Sequence, residues 1–135
     1  MFDGFIKAAC ATPESFCAHL QAVNDDAFVA CLDIGHAEMK GSDTSAVQMI
    51  QALGDKLQAL HIHDNDQWHD AHQIPFSMKI DFDGVVRALK AIGYAGYFTL
   101  EADQFLRNYT SETVFEGIRQ LADAAKRLAA MYESL

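Results

Sequence analysis

The sequence predicts an α/β fold of parallel βα units whose chemistry lies along one rim. Two observations carry that expectation. Three apolar, β-rich runs each stop at an acid or an imidazole. They are Phe28-Val29-Ala30-Cys31-Leu32 before Asp33-Ile34-Gly35-His36, Leu57-Gln58-Ala59-Leu60 before His61-Ile62-His63-Asp64, and Tyr97-Phe98-Thr99-Leu100 before Glu101. Each run is then followed by a segment of helical periodicity. Strands alternating with helices indicate a parallel sheet, and such sheets place their sites at the carboxyl ends of strands.

Residues 1–12 fit neither a capped helix nor a complete strand. Thr12-Pro13-Glu14-Ser15 opens the first helix: Thr12 as cap, Pro13 at the first turn and an acid behind it. Phe16, Cys17, Leu20 and Val23 keep helical spacing as far as Asn24. The first strand ends at Asp33, where Gly35 lets the backbone turn. Ser42-Asp43-Thr44 can cap a helix carrying Val47, Ile50 and Leu53, and Gly54 stops it. The second strand is expected over 57–62, followed by a loop over 64–80. A loop of that length in a compact chain is more often functional than idle. Asp81 starts the next helix, with Val85, Leu89 and Ile92 on one face. The third strand is expected over 96–101. Ser111-Glu112 opens a last helix carrying Val114, Ile118, Leu121, Ala125 and Leu128.

At 135 residues the chain is long enough for one domain with a real core, and residues 1–135 are read as that single domain. Half of it is hydrophobic. The net charge of −9 argues against nucleic acid as partner, because phosphate neutralisation needs lysine and arginine. Cys10, Cys17 and Cys31 are odd in number and lack a CxxC spacing, so they read as reduced, buried thiols. No signal peptide or membrane span is visible, and cytoplasm is the default.

The candidate site residues concentrate around the second strand. His61, His63, His69 and His72 fall within one short stretch and are four of the six histidines. His61 and His63 share a face if the strand is regular. Asp64 or Asp66 could orient a histidine, and a buried histidine bonded to backbone is the competing reading for His61. Asp33 and His36 can converge if the chain bends at Gly35, though Asp33 could equally cap a helix. Asp70 and His72 could be ligands or solvated surface; His69 and Trp68 read as packing or surface groups. Glu101 ends an apolar strand, where a carboxylate is costly unless paired or bound to a cation. Mixed carboxylate and imidazole donors suit zinc, manganese, cobalt or iron, with magnesium possible if waters complete the shell.

Taken together, Cys31-Leu32-Asp33-Ile34-Gly35-His36, Leu60-His61-Ile62-His63-Asp64-Asn65, Asp70-Ala71-His72, Ile80-Asp81-Phe82 and Gly93-Tyr94-Ala95-Gly96-Tyr97-Phe98-Thr99-Leu100-Glu101 resemble the xylose isomerase-like TIM-barrel superfamily. That group includes sugar phosphate isomerases and epimerases and the family 2 AP endonucleases. The resemblance implies part of a (β/α)8 barrel, its last three βα units. It implies a divalent metal on Asp33, His61 and Glu101, with Asp70 and His72 like the extra ligands of multi-metal members. His36 would contact substrate or a further metal, and Glu101 would also move a proton. His63 stands where other members often carry Lys, Asn or Gly. The loop Pro75-Phe76-Ser77-Met78-Lys79 departs from a Gly-containing version.

The implied activity is metal-dependent isomerisation or epimerisation of a sugar or sugar phosphate. In the epimerases a second carboxylate comes from the fifth strand and would fall just before Met1. The chain is therefore expected to be the C-terminal half of a barrel, which alone need not be active. It is expected to associate with itself, because an open piece of barrel leaves strand edges uncovered. The alternatives are a multi-zinc phosphodiesterase of the AP endonuclease type, with DNA as substrate, and a non-catalytic oligomerising fragment.

Overall fold

The computed structural model describes residues 11–135. Expectations for residues 1–10, Cys10 among them, lie outside this range.

The first helix, α1 (Pro13–Val23), begins at a capping box: the Thr12 hydroxyl accepts from the Ser15 N–H, and the Ser15 hydroxyl accepts from the Thr12 N–H. Asn24 closes it in the left-handed conformation. Strand β1 (Ala30–Asp33) leads directly into a single turn, α2 (Ile34–Ala37). Helix α3 (Ala46–Leu53) is capped by Ser45 rather than by the expected Ser42-Asp43-Thr44. Ser42 is occupied elsewhere: its hydroxyl donates to the Ala37 and Thr44 carbonyls. Glu38 accepts from the Ala46 N–H and completes the cap. A 3-10 turn (Gly54–Lys56) connects α3 to strand β2 (Leu57–His61). Helix α4 (Phe82–Ala91) starts at Asp81 as expected, and α5 (Val114–Ser134) closes the described chain.

Strands β1 and β2 pair in parallel, with Leu32 beside Leu60 and Asp33 beside His61. The register is irregular between Ala30 and Cys31, where β2 supplies an extra residue. That bulge explains why Leu57 and Leu60, three apart, are both buried. Residues on the other face, Cys31 and Ala59, stay exposed. Cys31 therefore corrects the expectation of a buried thiol; both described cysteines are free.

The third expected strand is reduced to one bridge. Ile62 donates to the Thr99 carbonyl and Glu101 donates to the Ile62 carbonyl, in parallel sense. Among the described residues Ile62 is the segment's one bridge partner, and Tyr97 stands 88% exposed.

The core lies between the sheet and its helices. Leu32, Ile34, Ile50, Leu60, Ile62, Val86, Leu89 and Leu128 are fully or nearly fully buried there. Burying side chains of this size contributes about 1.5–3 kcal/mol each. Helix α3 packs on α1 and α4, and α4 on α5. This is a mixed α/β, partial TIM-barrel arrangement with parallel strands, and it holds the carboxyl ends of β1, β2 and the Leu100 bridge side by side.

Candidate metal centre

Each strand end delivers its polar residue to the same place. The backbone pairing sets Asp33 next to His61 and Ile62 next to Leu100, so Glu101 follows directly. Asp33, His61 and Glu101 each offer a ligand atom within 4.8 Å of the others. His61 Nδ1 lies 2.7 Å from Glu101 Oε2. Glu101 is not the buried carboxylate that its apolar strand implies: its side chain is 42% exposed. Two carboxylates and an imidazole form a hard-to-borderline donor set that fits manganese, cobalt, zinc or magnesium.

Asp33 combines both roles that its position allowed. Its Oδ1 accepts from the His36 N–H and so caps α2, while its carboxylate belongs to the ligand group. Burial works against its ionisation, but contacts with the His36 and His63 side chains and the His36 N–H hold it well below the usual carboxylate range. The same contact, outweighing partial burial and assisted by Asp70, raises the His36 imidazole to about 9.

A second group stands beside the first. His36, His63, Asp70 and His72 offer ligand atoms within 4.8 Å of one another. Asp70 is its centre. Its oxygens lie 3.1 Å from His36 Nε2, 3.1 Å from His72 Nε2 and 3.8 Å from His63 Nε2. His36 Nδ1 lies 3.1 Å from Asp33, and His72 Nδ1 donates to the Glu101 carbonyl at 2.8 Å. Residues of the first group thus orient the imidazoles of the second, as outer carboxylates and carbonyls do around metal-binding histidines.

The loop over 64–80 is tied down by Asp64, not left to solvent. The fully buried Asp64 carboxylate accepts from the N–H groups of Asn65, Met78 and Ile80. Asp64 therefore shapes the loop instead of orienting a histidine. Asp66 does face one, His69, but that ring is 81% exposed and away from both groups. Trp68 is also at the surface. Asn65 donates to the Gly35 carbonyl and fastens the loop to α2.

His63 is the residue whose role the sequence left open. It follows β2 by two residues, and its Nε2 lies 3.2 Å from Asp33 Oδ1. It is completely buried. Gly35 explains how it fits, and corrects the reading of Gly35 as a turn former. Gly35 lies inside α2, and a Cβ there would sit 2.0 Å from the His63 ring. The glycine is needed for close approach, not for backbone freedom. Cys31 takes no part as a thiolate, since partial burial and the nearby Asp33 and Glu101 carboxylates push its thiol up.

Residues 2–118 match the family model described as xylose isomerase-like TIM barrel. The chain is 32% identical over 90 residues to the uncharacterized protein MJ1311 of Methanocaldococcus jannaschii, covering 67% of this chain and 31% of that protein. Among solved structures it resembles the D-allulose 3-epimerase of a Methylomonas species in complex with D-allulose. That match has 27% identity and a TM-score of 0.58, covering 69% of this chain and 30% of that one. An L-ribulose 3-epimerase shares the fold at 20% identity and a TM-score of 0.66, covering 93% of this chain and 43% of that one. The chain thus spans less than half the length of these relatives. With the family model matched over most of its residues, the chain belongs to the xylose isomerase-like TIM-barrel family.

Proposed function

We propose that this chain carries the metal-binding rim of a sugar or sugar-phosphate isomerase or epimerase. One observation supports the reading above all others: Asp33, His61 and Glu101 leave two paired strand ends and the adjoining Leu100 bridge, and meet. A divalent cation held there would polarise a substrate carbonyl and ease proton removal from the adjacent carbon. Glu101 is the residue to move that proton, because its half-exposed carboxylate reaches the rim while His61 fixes one of its oxygens. His36 stands at the open edge of the same rim and would position a substrate hydroxyl. Asp70 and His72 are proposed to hold a further cation.

The resemblance to a D-allulose 3-epimerase supports a ketose as the substrate class. On this reading the 135 residues form one domain, the C-terminal half of a barrel, and supply one of two proton-transfer carboxylates. Cation binding is then the property expected of the chain by itself. Self-association through the uncovered strand edges is expected with it.

The direct test has two parts. Calorimetric titration with manganese or cobalt should show a binding event that His61→Ala abolishes. A ketose panel in deuterated water should then show solvent deuterium entering the carbon beside the carbonyl if turnover occurs. Absence of any divalent-ion binding would sink the proposal. The two adjoining ligand groups also favour a second reading, a multi-zinc phosphodiesterase. The charge of −9 weighs against a DNA substrate. Cleavage of a duplex containing an abasic site would decide for it.

A further inference from the structure

We infer that His63 is a positioning residue: its Nε2–H holds Oδ1 of Asp33 and so leaves Oδ2 to serve the rim. The inference rests on the reading of Asp33, His61 and Glu101 as the group that holds a cation beside substrate.

His63 is 0% exposed, and its two ring nitrogens are the buried side-chain polar atoms without a hydrogen-bond partner among the described residues. Buried polar groups are ordinarily satisfied, so a partner is called for. Nε2 faces two carboxylates, Asp33 Oδ1 at 3.2 Å and Asp70 Oδ1 at 3.8 Å. Ionised carboxylates only accept, so the proton belongs on Nε2. Asp33 stands within hydrogen-bonding distance, and alignment is what the pair lacks. A turn of the Asp33 carboxylate supplies it.

That turn falls to Asp33 because the ring is held. It packs against Gly35 and stacks on His72 at 4.0 Å and 7°. The chain after it is fixed as well. The Asp64 carboxylate takes backbone N–H groups from Asn65, Met78 and Ile80, and Asn65 donates to the Gly35 carbonyl.

The two oxygens of Asp33 then have different duties. Oδ1 accepts from the His36 N–H at 2.9 Å and faces the His63 ring, so it is anchored from two sides. Oδ2 lies 3.1 Å from His36 Nδ1. The His36 side chain is 52% exposed, so it has room to leave Oδ2 to a cation; the enclosed His63 ring has none. With one oxygen anchored, the carboxylate presents the other in a fixed direction, as outer partners do for metal-binding side chains.

Calorimetric titration with cobalt tests this on the event that His61→Ala abolishes. His63→Met keeps an apolar side chain of similar bulk but removes the N–H, and should weaken that event at least about tenfold. His63→Gln keeps an N–H near the place of Nε2 and should restore most of the loss. A ring that only filled space would reverse this order, because an apolar side chain suits a buried site better than an amide. His63→Met binding as tightly as wild type overturns the inference, and so do equal losses in both variants. Nitrogen and proton NMR of the metal-free wild type needs neither a variant nor an ion. The His63 ring should be protonated on Nε2, with that proton shifted downfield by its bond to a carboxylate. A ring protonated on Nδ1 alone, or an Nε2 proton without that shift, overturns the inference. If no ion binds, the cation reading of Asp33, His61 and Glu101 falls, and NMR alone decides whether His63 holds Asp33. It also decides should either variant fail to fold.

Discussion

The two ligand groups differ in how the chain builds them. Asp33 and His61 end the two paired strands, Glu101 follows the Leu100 bridge beside them, and all three are placed by backbone pairing. His36, His63, Asp70 and His72 are drawn from a helical turn, the end of β2 and a long loop, and are placed by side-chain packing. The first group is open: His61 and Glu101 are both about half exposed. The second is mixed: His36 and Asp70 are about half exposed as well, while His63 has no exposure at all. Groups set by a ladder are positioned by the strands without further support. A group set by packing depends on every neighbour that fills the space.

The sharpest way to break this contrast is Asp33→Asn. Asp33 caps α2, belongs to the first group and faces His36 and His63 of the second. We expect cation affinity at the first group to fall by about a hundredfold or more, against the 10–100-fold typical of a lost outer partner. Affinity at the second should fall about tenfold. Calorimetric titration of both would show it; loss confined to one group would mean that Asp33 does not join them.

Gly35→Ala comes next. Its Cβ would overlap the His63 ring, and overpacking of this kind costs about 1–3 kcal/mol. Urea unfolding should show that loss. The double variant Gly35→Ala with His63→Ala should regain much of it, since the two changes share one contact. Strictly additive losses would show that the ring is not what excludes the methyl group.

The metal-free protein should also carry a pH signature. His36 is raised from its ordinary 6.5 to about 9 by Asp33, so its contribution is whole below about 6.5 and is lost as pH rises through about 9. Asp33 is lowered from 3.8, so its contribution is present above that value and disappears as pH falls below it. Stability in a chelator should therefore plateau between these limits. His36→Gln should flatten the alkaline decline; an unchanged decline would assign it to another group. The smallest effect is expected from His69→Ala, which removes an exposed ring outside both groups. Thermal unfolding should change by no more than about 0.5 kcal/mol, and cation binding not at all.

The strand-end group was legible in the residues themselves. Asp33, His61 and Glu101 each terminate an apolar run, and parallel strands ending together must bring such residues to one rim. Helix boundaries were equally readable where a cap and a proline coincide, as at Thr12-Pro13. Less legible was the extent of the third strand. Its composition is strand-like, but pairing depends on segments distant in the chain, and among the described residues Leu100 bridges only to Ile62. The loop defeated local reading for the same reason. Asp64 looked like a partner for histidine, yet its oxygens take backbone N–H groups from Met78 and Ile80, well along the chain. The signal that could have found His63 was present: a glycine one residue before His36, and a histidine two residues after His61. Nothing local says that the glycine makes room for the ring.

Local chemistry along the chain thus determined which elements form and which side chains arrive at the rim, because periodicity, caps and strand ends act over a few residues. Tertiary structure alone decided that these side chains divide into two groups. That division depends on close approach between distant segments: Gly35 against His63, Asn65 against Gly35, and Glu101 against His72. Contacts of this kind are set by how elements pack in space, and no window of neighbouring residues contains them.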